Sequence, residues 1–214
     1  MIGGWDDTAA TLARFERDEH GAWRAVGAPW AAVIGRNGAA WGRGLHGDGA
    51  PKAASGPTKQ EGDGRSPAGA FAIVASYGSA GATVAGAKLP YHALGEAWRC
   101  VDDGSSSHYN HVLDSTGLAV DWSSAENMHR PDALYTWVIE IAHNPGATPG
   151  GGSCIFFHVW GGPASTTAGC TAMPQPDIEA MLAWIDPAKH PAYVLLPRGE
   201  YSTRAAAWGL PPAP

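Results

Sequence analysis

The chain has 214 residues, of which 44% are apolar, and its formal net charge is −6. This length and apolar content predict one domain with a sizeable core, or one domain with a small appendage. Charged residues make up only 16% of the sequence, and the acidic excess leaves no basic field, which excludes nucleic acid and anionic membrane surfaces as main partners.

The first predicted element is a hairpin over residues 9–27, because residues 18–21 form a turn signal and residues 22–26 resemble a return strand. Further segments are rich in β-branched or aromatic residues and are bounded by Gly or Pro. They predict strands at 30–35, 69–76, 135–143, 154–160 and 192–197.

The remaining chain predicts a loop, a helix and an extension. Residues 42–64 form a long Gly-rich connection that is too polar to pack, so we expect a surface loop there. Residues 175–185 predict the clearest helix, whose apolar residues recur at helical spacing and should pack into the core behind the preceding loop. They are Ile178, Met181, Leu182 and Ile185. Residues 199–214 end in a Pro-rich stretch and predict a C-terminal extension.

The most informative feature is a histidine followed twelve positions later by a cysteine. His158 closes an apolar run, and Cys170 follows Gly169. A free thiol is only about 3% thiolate at pH 7, so an imidazole that accepts its proton raises the reactive fraction. The N–H groups of Gly169 and Cys170 can also point together at an oxyanion. These residue types indicate a cysteine acyl-transfer enzyme, while a buried small Cys and a structural His remain the alternative.

Two stretches resemble the catalytic domain of L,D-transpeptidases of the YkuD type. Residues 153–173, SCIFFHVWGGPASTTAGCTAM, resemble the family signature, in which a His precedes a Ser/Thr-x-Gly-Cys element. Residues 59–71, KQEGDGRSPAGAF, resemble the family segment K-x-x-G-D-x-[RK]-[ST]-P-x-G-x-[FY]. With CVDD at 100–103 and YN at 109–110, the resemblance covers residues 30–197.

The resemblance implies a mainly β fold, a YkuD-like β-sandwich of mixed sheets with one helix after the cysteine loop. Residues 1–198 would be a single catalytic domain with the hairpin of residues 9–27 packed on it, followed by the extension. The resemblance also implies Cys170 as nucleophile and His158 as general base, held by a backbone carbonyl around residues 159–161. Gly169 and Cys170 would supply the oxyanion N–H groups. No cofactor is expected, and the protein is expected to be a monomer.

The implied function is an L,D-transpeptidase that cross-links peptidoglycan stem peptides, as donor and acceptor, through a Cys170 thioester. Two alternatives stay open: L,D-carboxypeptidase trimming of stem peptides, and a non-catalytic cell-wall-binding module. A sortase-like enzyme is disfavoured because its His lies much further upstream. A papain-type peptidase is disfavoured because its Cys usually precedes its His.

The implied location is the periplasm or cell envelope of a bacterium. Residues 1–7 lack the basic start and apolar stretch of a secretion signal. We therefore expect any export signal to lie outside this sequence, which leaves a cytoplasmic location open. No apolar run approaches the roughly 18 residues of a membrane span, so no membrane insertion is expected.

Two positions depart from the family pattern. Ala168 stands where many members have His before the Gly-Cys pair, and Ala172 stands where many have Arg. The missing Arg removes a cation beside the nucleophile, so substrate carboxylates must be met by other groups. The candidate substrate contacts in or beside the family-like stretches are Trp160, Tyr109, Asn110 and Thr171.

Three cysteines leave one unpaired if two are bonded. Cys170 must stay reduced to act, and Cys154 is expected on the same strand face as His158. A disulfide between Cys100 and Cys154 is therefore our hypothesis.

No metal site is expected. His108 and His111 lie beside a Gly-Ser-rich run that favours a loop, with no third ligand nearby. The two cysteines and the histidine of the signature stretch would supply only three ligands, without a C-x-x-C knuckle.

Overall fold

The fold was obtained as a computed structural model, which describes residues 1–213. The strands are β1 Ala9–Leu12, β2 Phe15–Arg17, β3 Trp23–Ala25, β4 Trp30–Val33, β5 Ala39–Trp41, β6 Arg43–Gly44, β7 Gly47–Asp48, β8 Ser66–Gly78, β9 Tyr91–Ala93, β10 Trp98–Val101, β11 Val112–Asp114, β12 Ala125–Asn127, β13 Val138–Ile141, β14 Phe156–Val159, β15 Thr171–Met173 and β16 Ala192–Leu195. The helices are α1 Gln175–Trp184 and α2 Arg198–Trp208, with 3-10 turns at Ala133–Tyr135 and Pro187–Lys189.

One nine-stranded sheet organises the protein. Its main path runs β1-β4-β15-β14-β13-β8-β16, and β5 and β9 also pair with β8. β14 and β15 are parallel, whereas β13 pairs antiparallel with both β14 and β8. Strands contain 31% of the residues and helices contain 13%. The prediction of a mainly β fold with mixed sheets and a helix after the cysteine loop is therefore confirmed.

All four residues of the central strand β14 are buried. Because successive side chains of a strand point to opposite faces, both faces of β14 are covered. Phe157 points into the larger apolar cluster, which includes Met173 of β15 and Leu182 of α1. Phe156 points the other way, into a smaller cluster that also contains Cys170. The candidate site therefore lies on the face of the sheet that carries the smaller cluster.

The predicted hairpin exists, but with different strands. β2 pairs antiparallel with β3 around the turn at residues 18–22, whose backbone is capped by the Asp18 carboxylate. β1, which was assigned to the same hairpin, instead pairs with β4 and becomes an edge of the main sheet. The strand predicted at 30–35 is β4, and it is the pairing partner of β1.

A second, smaller sheet covers one face of the main sheet. It has the order β11-β10-β12. We call residues 95–135, which contain this sheet and the 3-10 turn Ala133–Tyr135, the lid. Tyr135 was predicted to begin a strand. It ends the 3-10 turn instead, because the Asp132 side chain accepts from the Leu134 N–H and caps that turn, so β13 begins at Val138.

Two other expectations need correction. The connection at 42–64 carries the short hairpin β6–β7, and its Lys59 is buried at 5% exposure, so the segment is not purely a surface loop. The C-terminal segment forms α2, which the sequence did not predict. Tyr201 of this helix is buried in the larger cluster, and Trp208 packs beside it with its ring 6.5 Å from that of Trp41.

The helix predicted after the cysteine loop is α1. Its apolar stripe is buried as expected, and Ile178 and Leu182 are fully inaccessible. Among residues 1–213, no helix has both the length and the apolar character needed to cross a bilayer.

Candidate active site

His158 and Cys170 share one face of the β14–β15 pair. In the register of these parallel strands, Phe157 lies opposite Thr171 and His158 lies opposite Ala172. Alternate residues point to the same face, so Cys170, two positions before Ala172, shares the face of His158. His158 of β14 and Cys170, which immediately precedes β15, are therefore diagonal neighbours.

The ring of His158 has a fixed tautomer. Its Nδ1 lies 2.7 Å from the carbonyl oxygen of Val159, and since a carbonyl only accepts, Nδ1 carries the proton. Nε2 then keeps its lone pair and is free to accept one. Burial lowers the pKa of His158, which keeps the imidazole neutral. The expectation of a backbone carbonyl around residues 159–161 as orienting group is confirmed.

The thiol of Cys170 lies under the lid. Cys170 is 8% exposed and His158 is 7% exposed. The sulfur donates a hydrogen bond to the carbonyl of Cys154 at 3.5 Å. Burial, followed by the negative charge of Glu126, raises the pKa of Cys170 well above its ordinary value. The resting pair is therefore a neutral thiol and a neutral imidazole.

Two hydroxyl groups hold the backbone of the cysteine. The carbonyl of Cys170 accepts from Thr167 Oγ1 at 2.6 Å and from Ser66 Oγ at 3.1 Å. Ser66 is inaccessible to solvent and also accepts the N–H of Gly35 at 2.9 Å. The segment at 59–71 thus reaches the cysteine loop directly.

Gly169 has a packing role that the sequence did not reveal. A Cβ at this position would lie 3.1 Å from the Arg65 carbonyl oxygen and 3.2 Å from Ile155 Cδ1. Glycine therefore allows the cysteine loop to approach the segment at 59–71 closely. The Gly169 N–H, expected to face an oxyanion, donates to Thr167 Oγ1 at 3.2 Å in this structure.

The rest of the 59–71 segment is internally braced. The Asp63 carboxylate accepts from the backbone N–H groups of Gln60 and Arg65 and pairs with the buried Lys59 ammonium. Arg65 in turn donates to the Ala39 carbonyl and pairs with Asp6. These contacts fix the loop from which Ser66 extends.

A comparison with protein families gives one match. The family model described as YkuD, the L,D-transpeptidase catalytic domain, matches residues 36–194. The chain belongs to the YkuD family. Its members are L,D-transpeptidases, some of them carboxypeptidases, that act on peptidoglycan stem peptides and typically work in the cell envelope. No curated protein and no solved structure matches the chain.

In this YkuD domain a disulfide joins the lid to the site. Cys100 of β10 is bonded to Cys154, and Cys170 is the free cysteine. Cys154 has a positive φ of 57°, and its N–H donates to Asn110 Oδ1 at 2.9 Å. The residue whose carbonyl receives the Cys170 thiol is therefore held through its side chain and its backbone.

Tyr109 and Asn110, both candidate substrate contacts, form hydrogen bonds within the protein. Tyr109 is 2% exposed and donates to the Glu61 carboxylate at 2.5 Å. Asn110 also donates to the carbonyls of His143 and Asn144. Both residues join the lid to the turn that precedes Cys154.

The other two candidate substrate contacts, Thr171 and Trp160, lie at different places relative to the candidate site. Thr171 is 3% exposed and hydrogen-bonds the Tyr193 hydroxyl at 2.8 Å on the face opposite to Cys170. Trp160 is partly exposed just after β14, and its backbone N–H donates to the Met173 carbonyl. Of the two, only Trp160 offers a surface beside His158.

Two cavities flank the site without including its nucleophile. A cavity of about 1020 Å³ lies behind the sheet and is lined by Phe157, Thr171 and the N-terminal strands. A smaller one of about 200 Å³ lies beside the disulfide and is lined by both bonded cysteines and Phe156. Cys170 and His158 themselves lie under the lid, at 8% and 7% exposure.

Sequence reasoning missed two lid residues next to the nucleophile. The Tyr135 hydroxyl donates to Glu126 Oε1, and the Tyr135 ring meets the His158 ring edge to face at 5.3 Å between centroids. No motif singled out either residue. Cys100 and Glu126 are cross-strand partners in the lid sheet. The predicted bond between Cys100 and Cys154 was therefore the sequence signal that placed this part of the lid near the site.

Proposed function

We propose that this protein is a cysteine-dependent L,D-transpeptidase that forms cross-links between peptidoglycan stem peptides through an acyl-enzyme at Cys170. The single observation that carries this is the shared strand face of Cys170 and His158, with Nε2 of His158 left free to take a proton. A buried structural Cys would not require an adjacent imidazole of fixed tautomer.

The proposed acylation needs one proton shuttle. His158 Nε2 takes the thiol proton as the sulfur attacks the carbonyl carbon of the donor peptide bond. The imidazolium then gives that proton to the leaving amine as the C–N bond breaks, and a thioester remains. Burial raises the pKa of the Cys170 thiol, so the resting thiol is neutral and its proton must pass to His158 during acylation.

The proposed deacylation reverses these roles. An acceptor amine attacks the thioester carbon, His158 takes a proton from the attacking nitrogen, and the C–S bond breaks. The sulfur then recovers its proton from His158. With an amine acceptor the product is a cross-link, and with water it is a trimmed stem peptide.

The oxyanion in both steps would be met by the N–H groups of Gly169 and Cys170. The Gly169 N–H must exchange its 3.2 Å bond to Thr167 Oγ1 for the oxyanion. Thr167 Oγ1 also donates to the Cys170 carbonyl at 2.6 Å, so it keeps a partner when this exchange occurs.

The burial of the candidate site affects whether an amine or water accepts the acyl group. Cys170 and His158 lie under the lid, and a site that excludes water favours an amine acceptor over hydrolysis. We therefore place cross-linking ahead of carboxypeptidase trimming. We further propose that residues 1–198, with α2 packed on them, form a single catalytic domain that acts as a monomer in the periplasm or cell envelope.

A reaction with defined stem peptides tests this function. The protein is incubated with a tetrapeptide donor alone and with an added amine acceptor, and products are separated and weighed. We expect a cross-linked product that requires the acceptor and disappears in Cys170→Ala. Tripeptide alone would instead support trimming, and no product with either mixture would support a non-catalytic wall-binding module.

A further inference from the structure

The cavity of about 1020 Å³ behind the main sheet is separate from the candidate active site. Neither Cys170 nor His158 lines it. Its sheet wall includes Phe157 and Thr171, which lie opposite each other on β14 and β15. Both side chains point away from the face that carries the nucleophile. Small-molecule pockets usually measure roughly 300–1,000 Å³, so this cavity has room for a ligand that does not contact Cys170.

Apolar side chains form most of the cavity wall. They come from the N-terminal strands, the main sheet and both helices, and include Leu12, Phe15, Ile73, Met181 and Trp208. In the sheet wall, the rings of Phe157 and Tyr193 pack edge to face at 4.6 Å between centroids. The buried hydroxyl groups of Thr171 and Tyr193 bond each other at 2.8 Å. This wall therefore favours an apolar ligand body, because its buried hydroxyl groups already have partners.

Arg14 differs from the rest of the lining because its charge has no partner within the protein. It takes part in no ion pair among residues 1–213, and its buried Nε has no hydrogen-bond partner there. The other buried side-chain atoms without a partner in this range, on Thr83 and Asp102, do not line the cavity. A desolvated donor on a charged group is costly to leave unpaired. A ligand that supplies an acceptor to Arg14 is therefore favoured.

Two indole rings hold the guanidinium of Arg14. Its Cζ lies 4.1 Å from the centroid of the Trp30 ring and 5.5 Å from that of Trp184, and Trp184 lines the cavity. Stacked rings cover the faces of a planar guanidinium, whereas its N–H groups lie along the edge and match the two oxygens of a carboxylate. The stacking therefore fixes Arg14 without using the N–H groups that bind an anion.

The charges around the cavity favour one negative charge on the ligand. The Arg, Lys, Asp and Glu residues of the lining are Arg14, Arg17, Lys189, Glu16 and Asp186. Three cations against two acids leave an excess of one positive charge. Asp177 acts on the Arg14 charge without forming an ion pair with it. A carboxylate fits this balance better than a phosphate group, which carries nearly two negative charges at pH 7.

We propose that this cavity binds an amphipathic carboxylic acid, such as a medium-chain or long-chain fatty acid, whose chain fills the cavity and whose carboxylate accepts from Arg14. The site lies on the opposite face of the sheet from Cys170, and the inference does not depend on the reaction at that residue. The bound acid contacts Phe157 and Thr171 and so stabilises the strand pair next to the nucleophile.

Calorimetric titration with two matched probes tests the inference. The probes are decanoate and the uncharged decan-1-ol at pH 7, each below its aggregation concentration, with wild type and Cys170→Ala as hosts. We expect one saturable site for decanoate in both proteins, with an affinity at least about tenfold higher than that for decan-1-ol. This is the usual range for a hydrogen bond to a charged group. Equal affinities, or no saturable binding of decanoate, overturn the inference.

Three variants separate the carboxylate contact from the apolar contacts. Arg14→Gln should lower the affinity for decanoate to within about twofold of that for decan-1-ol. Arg24→Gln removes the same charge from an exposed position of β3 outside the cavity and should leave the preference intact. Ala10→Phe adds volume to the lining and should weaken both probes by at least about tenfold. Denaturant unfolding controls for folding. A preference that survives in Arg14→Gln rules out Arg14 as the anion-binding group.

Two further titrations locate the ligand and identify its head group. A carbapenem adduct at Cys170 should leave the affinity for decanoate unchanged within about twofold, whereas loss of binding would place the acid in the active site and overturn the inference. Decyl phosphate should bind no more tightly than decanoate, and binding about tenfold tighter would assign the cavity to a phosphate instead. If decanoate binds as expected but no carbapenem adduct forms, the proposed function fails while this site stands.

Discussion

The Cys170 thiol donates its hydrogen bond to the carbonyl of Cys154, the residue that a disulfide ties to the lid. The backbone of Cys154 is thus a shared part of two features, the nucleophile and its cover. Removal of the lid disulfide should therefore change the reactivity of the Cys170 sulfur.

Removal of the disulfide should both destabilise the protein and expose its nucleophile. The bond closes a loop with a sequence separation of 54, which corresponds to about 4 kcal/mol in the chain-entropy model. We expect Cys100→Ser with Cys154→Ser to lose about 2–4 kcal/mol in denaturant unfolding and to react faster with iodoacetamide at Cys170. Wild type treated with reductant is the matched comparison. An unchanged alkylation rate in both would show that the lid does not restrict access.

The reactivity of Cys170 should depend on pH in an unusual way. Burial and Glu126 raise the pKa of this thiol, so thiolate forms at higher pH than it does in an ordinary thiol. We expect the iodoacetamide rate to rise from pH 7 to pH 10 without the plateau that an ordinary thiol shows above a pKa of about 8.5. The unfolded protein supplies that ordinary curve. A plateau near pH 8 in the folded protein would mean that the thiolate is stabilised.

His143 should make the fold sensitive to acid. Its Nε2 donates to the Gly151 carbonyl, and its Nδ1 accepts the N–H of Arg43, so the ring is neutral. Burial lowers its pKa to about 4. The unfolded state therefore binds a proton below about pH 6.5 while the folded state does not, and stability falls as pH drops from about 6.5 towards 4.

The size of this effect follows from proton linkage. Between pH 7 and pH 5, His143 should account for about 2 kcal/mol of lost stability. We expect His143→Gln to be less stable at pH 7 but to lose about 2 kcal/mol less than wild type over this range. Denaturant unfolding at both pH values measures the difference. Parallel losses in the two proteins would exclude His143 as the acid-sensitive group.

Ser66 should stabilise the cysteine loop from the other motif. Its hydroxyl bridges the Gly35 N–H and the Cys170 carbonyl, and Ser66→Ala leaves the N–H unsatisfied. We expect a loss of about 1–3 kcal/mol in unfolding free energy. Ser202→Ala, on an exposed helix position where the hydroxyl bonds the Arg198 carbonyl, should change stability by less than about 0.5 kcal/mol.

The elements that position the nucleophile could be predicted from local patterns. The apolar spacing of Ile178 and Leu182 indicated α1, and the apolar run before His158 indicated β14. Both signals come from side chains that alternate or recur along one element, so no distant contact is needed to read them. The Cys–His pair was accessible from the motif itself, in which a histidine that closes an apolar run precedes a Gly-Cys pair.

The lid could not be predicted because its stability comes from distant side chains. Its strands have only three or four residues, too few for a periodic signal. Asp103 holds Ser123, and Asp121 holds Ser106, across turns that local spacing does not indicate. Glu126 and Tyr135 were missed for this reason. The N-terminal hairpin was predicted with too long a first strand, since β2 pairs with β3 as expected but β1 pairs with β4.

A carbapenem distinguishes a nucleophilic Cys170 with His158 as its base from an inert buried thiol. Intact mass spectrometry should show one covalent adduct on the wild-type protein and none on Cys170→Ala, with adduct formation slowed by at least about 100-fold in His158→Gln. Circular dichroism of each variant controls for folding. If the folded wild-type protein gains no mass, or if the adduct forms equally fast without the imidazole, Cys170 is not a nucleophile activated by His158.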